Sequence, residues 1–142
     1  MNLEQKLSDP RKLLVMLNEL KGYLNELAQS GKTTTLFLAQ AGLTDQEQVD
    51  LLEYLAKGEI EISLPSSDEP VNWYETSVHG IWVGTFLDNR GGVMTRTIEV
   101  CYYPELAHSY TEDLPAGAKK LESIINVALQ EGKAKLGEAA FE

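Results

Sequence analysis

The stretch from Trp73 to Val100, WYETSVHGIWVGTFLDNRGGVMTRTIEV, constrains the fold more than any other part of the chain. Its β-branched and aromatic residues are interrupted twice by glycine-bearing segments, His79-Gly80 and Asp88-Asn89-Arg90-Gly91-Gly92. That punctuation predicts three strands, Trp73 to Val78, Ile81 to Leu87 and Val93 to Tyr102, joined by tight turns. Connections this short make antiparallel neighbours. By alternation, Ile98, Val100 and Tyr102 share one face of the last strand.

The segments around this hairpin set supply the rest of a layer. Upstream, Glu59 to Leu64 alternates charged or polar with apolar, which predicts a fourth strand with Ile60, Ile62 and Leu64 facing inward and Pro65 closing it. TTTLFLAQAG, from Thr33 to Gly42, is either a short strand or a packed extended segment. Asp9-Pro10 reads as a helix start, with Leu13, Leu14, Leu17, Leu20, Tyr23, Leu24 and Leu27 forming one stripe and Ser30-Gly31 the stop. The stripe fits packing on the chain's own core or a coiled-coil seam. Gly22 inside it suggests a close contact. Thr44 and Glu47 form a capping box that opens a second helix, burying Val49, Leu52, Leu55 and part of Tyr54, with Gly58 placed as its left-handed stop. A last helix from about Ala116 to Glu131 is expected to bury Leu121, Ile124, Ile125, Ala128 and Leu129.

Helix, helix, four strands, helix indicates an α+β fold: an antiparallel sheet of about four strands packed on one face by about three helices. The 142 residues suit a single domain, 1–142, with 1–8 and 132–142 expected to be loose.

The charge balance narrows the function. Twelve basic against 22 acidic residues give a net charge of −10, which argues against nucleic acid and against anionic lipid, both of which need clustered Lys and Arg. No apolar run approaches the roughly 20 residues of a membrane span, and MNLEQKLSDPRK lacks a signal-peptide core, so a cytoplasmic location and no membrane insertion are expected. Gly31-Lys32-Thr33 is no phosphate loop, because that motif needs a strand before it and an earlier glycine where Glu26 stands.

Four sets of residues bear on chemistry. Glu75, His79, Cys101 and His108 hold the only thiol and both histidines, but without the close spacing of a metal site. Cys101 sits late in a strand beside Glu99, where an acidic setting favours an inert thiol over a nucleophile. Glu59 and Glu61 share a strand face and read as solvated edge charges. Trp73, Tyr74, Trp82, Phe86, Tyr102 and Tyr103 put aromatics on both sheet faces, serving either as core or as a docking patch rimmed by carboxylates. No catalytic residue, metal ligand or cofactor follows from these sets. A partner-binding surface of Trp73, Glu75, His79, Trp82, Glu99 and Tyr103 is expected. The rival is a small hydrolase or redox enzyme using Glu75, His79 and Cys101, and a further alternative is an unrelated protein-interaction domain.

LTDQEQVDLLEYLAKGEIEI, ETSVHGIWVG and TIEVCYYPE follow one another in an order that resembles a known family. Between Leu43 and Asp113 the chain is similar to the C-terminal domain of the hydrogenase expression/formation proteins of HupH/HyaF type. Gly58, Glu59, Glu75, Thr76, Gly80, Trp82, Ile98, Glu99, Val100 and Pro104 carry the match. His79 stands where the family pattern has proline, and Ile81 where it has valine. The resemblance implies an accessory or chaperone protein in maturation of nickel–iron uptake hydrogenase, not an enzyme. Its implied partners are the small subunit precursor before export, with its basic signal segment, and other maturation proteins. With one cysteine, the chain lacks the thiolates of an ordinary iron–sulfur cluster site.

Overall fold

A computed structural model describes residues 10–65 and 68–139, with side chains as far as residue 132. The expectations for residues 1–8 and for Asp9 as a cap lie outside the described residues. The chain divides into two compact units, residues 1–107 and 108–142.

The first unit is α+β. Its order is α1 (Pro10–Ser30), β1 (Thr34–Phe37), α2 (Asp45–Leu55), β2 (Lys57–Leu64), β3 (Val71–Thr76), β4 (Ile81–Leu87) and β5 (Val93–Val100). The strands form one antiparallel sheet in the order β1-β5-β4-β3-β2. The β2 to β5 meander follows from the short turns read in the sequence. The fifth strand is β1, which the sequence left between strand and extended segment; it pairs with β5, Thr34 opposite Val100 and Leu36 opposite Ile98.

Helices α1 and α2 cover one sheet face. Leu13, Met16, Leu20 and Leu27 of α1 and Leu51 and Leu55 of α2 close over Ile81, Ile98 and Val100. The stripe on α1 therefore packs on its own domain. Met16 replaces Leu14 in it, because Leu14 is 59% exposed. The capping box of α2 forms as expected: Thr44 Oγ1 accepts from Glu47 N at 3.1 Å, and the Glu47 carboxylate accepts from Thr44 N at 2.8 Å. Glu47 is buried and also meets Lys12 Nζ at 3.2 Å, so one carboxylate fastens the start of α2 to α1.

Several expected positions move. Val49 and Tyr54 are exposed, and Leu51 takes the buried place on α2. Ile60 is half-exposed, because the β2–β3 register shifts between Lys57 and Glu61 and turns it out of the alternation. Strand β3 ends at Thr76 rather than Val78, because Thr76 Oγ1 accepts from Val78 N at 3.1 Å and starts the turn. Gly22 has nothing within 4 Å of where a Cβ would stand, so no close contact explains it.

The second unit holds a short 3-10 turn, Thr111–Asp113, and α3 (Leu114–Ala139), which runs past the expected end at Glu131. Leu121, Ile124, Ile125 and Leu129 keep half or more of their surface exposed, against the burial expected for them. Helical spacing identifies an apolar stripe, but burial needs an opposing surface, and a unit of one helix and its lead-in has none of its own. Among the described residues no helix is long and apolar enough to cross a membrane.

Candidate partner-binding site

Of the residues singled out in the sequence, Trp73, Glu75, Trp82, Phe86 and Glu99 share the sheet face away from α1 and α2, while Tyr74 lies on the helix-facing side. Strand register lines up Glu75 of β3, Trp82 of β4 and Glu99 of β5 in one cross-strand row. Trp73 lies in the next row, opposite Gly84. Its indole crosses diagonally: Trp73 Nε1 donates to Glu99 Oε2 at 2.8 Å. Thr97 Oγ1 donates to the same oxygen at 2.8 Å. Phe86 meets the Trp73 ring edge-on, centroids 6.3 Å apart. Val71, Trp73, Trp82 and Cys101 make a second apolar cluster, flanked by Ile62, Leu64 and Phe86.

Glu75 is occupied as well. Its Oε2 accepts from Gly80 N at 3.0 Å, and its Oε1 lies 3.5 Å from Nδ1 of His79. This carboxylate closes the β3–β4 turn, where Gly80 adopts φ +92°. His79 needs no unusual backbone; it projects almost wholly into solvent. Trp73 and Trp82 are each only 2% exposed and Glu75 is buried too, so of the expected surface His79, the half-exposed Tyr103 and part of Glu99 reach solvent. Tyr102 anchors the chain beyond β5 by donating its hydroxyl to the Leu27 carbonyl at 3.2 Å. Trp82 Nε1 is buried with no hydrogen-bond partner among the described residues, while Glu75 Oε2 and Glu99 Oε2 on either side accept from other donors. Such a donor forgoes about 1–3 kcal/mol.

Among the described residues no hydrogen bond joins Cys101 to His79, whose Nδ1 faces Glu75 instead. Burial, with Glu99 and then Glu75 nearby, pushes the Cys101 thiol up to about 12. At pH 8 only on the order of one thiol in ten thousand is then ionised, against roughly a quarter of free cysteine. Alkylation of the native protein by iodoacetamide at pH 8 should run at least about a hundredfold slower than alkylation of the urea-unfolded chain. Comparable rates would mean the thiol is accessible and reactive. His108 belongs to the second unit, where its ring meets Tyr110 at 4.8 Å. Among the described residues no three His, Cys, Asp or Glu are grouped to hold a metal ion.

On the opposite face, a groove between α2 and strands β2 to β5 was not legible as a site, although Arg96 at a position facing the helices was a signal.

The sequence profile described as HupH hydrogenase expression protein, C-terminal conserved region, matches residues 13–128. The chain belongs to the HupH hydrogenase expression protein family. The match begins in α1 and reaches into α3, so the family likeness extends well beyond the 43–113 core read from the motifs. Among solved structures, the hydrogenase expression protein HupH from Thiobacillus denitrificans is similar, with 29% identity and a TM-score of 0.74 over 80% of this chain and 94% of that one. No curated protein matches. Gly58, Glu75, Gly80 and Glu99, among the residues on which the resemblance was read, all have structural roles here: two glycines permit close approach or positive φ, and two carboxylates tie adjacent strands and turns.

Proposed function

We propose that this HupH-family chain acts in nickel–iron hydrogenase maturation by holding the small subunit precursor, without chemistry of its own. The observation that carries the reading is the state of its reactive groups. Glu75 Oε2 and Glu99 Oε2 accept from the chain's own donors, and the one thiol is held protonated by burial and the nearby carboxylates. A site arranged in that way supports a surface and offers no acid, base or nucleophile poised for a substrate. Family membership then names the process. His79, Tyr103 and the accessible part of Glu99, framed from below by the buried Glu75 and Trp82, are the proposed contact surface. The net charge of −10 suits a precursor whose signal segment is basic.

Fluorescence-anisotropy titration of labelled precursor at about 50 mM and about 500 mM salt tests this, since screening shortens to a few ångströms across that range. Binding that weakens at least several-fold with salt is expected. Salt-independent binding would remove the electrostatic part, and absence of binding at both salts would remove the precursor as partner.

A further inference from the structure

Every side chain of α3 from Leu114 to Glu131 is exposed. Leu121, Ile124, Ile125 and Leu129 keep 57%, 54%, 50% and 62% of their surface in solvent. The helical period nevertheless sorts them. Together with Ala118, Ala128 and Gly132 they fall on one side of the helix, while Lys119, Ser123, Asn126 and Gln130 fall on the other. Most helical stability in proteins comes from packing such an apolar side against a partner, and a helix standing alone in water is marginal.

Charge and side-chain size both point to a second copy of the same helix. α3 carries four lysines against three glutamates, near balance, in a chain of net charge −10. It is therefore a segment at which two acidic copies can meet with little repulsion. The centre of the apolar side runs Leu121, Ile125, Ala128, Gly132, large residues first and small ones last. An antiparallel pair of such helices sets Leu121 against Gly132 and Ile125 against Ala128, twice each about a two-fold axis, so large meets small in every central layer. A parallel pair would crowd Leu121 against Leu121 and leave a gap between the two Gly132 residues. The rim follows the same direction. Antiparallel packing brings Lys120 across from Glu131 of the second copy, whereas parallel packing would oppose like charges at both positions.

We propose that the chain forms a two-fold dimer through α3, two copies of the helix packing antiparallel along the seam from Leu121 to Gly132. Ile124 and Leu129 close the two sides of the seam, and Val127, off the stripe, stays in solvent. With the four aliphatic side chains of each copy covered, the buried area is on the order of 1,000 Å², the lower end for a specific interface. The dimer is accordingly weak, with a dissociation constant on the order of 100 μM. It uses no residue of the Glu75–Trp82–Glu99 row, so it stands independently of precursor binding.

Sedimentation equilibrium of the full chain between about 10 μM and about 500 μM tests the proposal. The average mass should rise from that of the monomer toward twice that value. Ile125→Glu should stay monomeric throughout, and Val127→Glu, the same change two residues away, should associate like the native chain. Lys120→Glu should weaken association about fivefold, since it makes two like-charge contacts per dimer, and Lys120→Glu combined with Glu131→Lys should restore it. Both tryptophans lie in the first unit, so their fluorescence verifies its fold in every variant. A native chain that is monomeric at 500 μM (about the highest concentration used), or an Ile125→Glu variant that still dimerises, would overturn the dimer. Failure of the double charge swap to restore association would overturn the antiparallel arrangement.

Discussion

Replacing Trp73 with alanine is expected to lower the unfolding free energy by about 4 kcal/mol. The side chain is 2% exposed and lies at the centre of the second apolar cluster. A Cβ on Gly84 would stand 3.0 Å from Trp73 Cδ1, so the indole rests directly on the β4 backbone and its removal opens a cavity no neighbour can fill by a rotamer change. The loss has a second part. Glu99 Oε2 accepts from both Trp73 and Thr97, and without the indole this part-buried carboxylate keeps only the hydroxyl. Trp73→Phe separates the two parts, since it retains most of the ring and loses the N–H; about 1–2 kcal/mol is expected for it. Urea unfolding followed by circular dichroism measures both. A Trp73→Ala cost below about 1 kcal/mol would show that the cluster is not a core. Against a usual domain stability of 5–15 kcal/mol, a 4 kcal/mol loss leaves a marginal fold, so this residue bears on stability before it bears on partners.

The sequence was informative wherever a local rule decides the outcome. The β3–β4 and β4–β5 turns depend on glycine and on Asp88, whose Oδ1 accepts from Arg90 N and Gly92 N, each at 2.8 Å; both turns were readable, and β4 has the expected bounds. The Thr44–Glu47 capping box is equally local. Non-local features were harder. That Glu75, Trp82 and Glu99 share a row depends on strand register, which alternation alone leaves open by two residues in either direction. That Arg96 ends in the groove beside α2 depends on where α2 stops relative to the sheet. Val49 and Leu51 could not be ranked by periodicity, because both are apolar and a shift of two places on a short helix is all that separates the buried one from the exposed one. Burial of the α3 stripe required an opposing surface in its own unit, which spacing along the helix does not supply. The family resemblance helped with function because its residues are the turn and tie positions that a local reading also picks out.

The joint between α2 and β2 supports a pair of substitutions of opposite sign. Gly58 was expected to end the helix with a left-handed residue, yet it lies in β2, and Ala56 takes that role at φ 58° and ψ −178°. The reason lies at both positions. A Cβ on Gly58 would stand 2.6 Å from the Thr76 carbonyl oxygen and 2.9 Å from that of Glu75, so this glycine serves close approach of two backbones. The reversal then falls two residues earlier, where Leu55 is pinned by Ser77 N donating to its carbonyl at 3.0 Å, and Ala56 must adopt a conformation that glycine favours. Gly58→Ala is expected to cost about 3 kcal/mol, because the atoms in the way are β3 carbonyls that cannot move without breaking the β2–β3 ladder. Ala56→Gly is expected to stabilise by about 1 kcal/mol, the relief of positive-φ strain exceeding the extra entropy of glycine in the unfolded chain. Thermal and urea unfolding of the two variants would read out the signs directly. A stabilising Gly58→Ala, or a destabilising Ala56→Gly, would overturn this account of the joint.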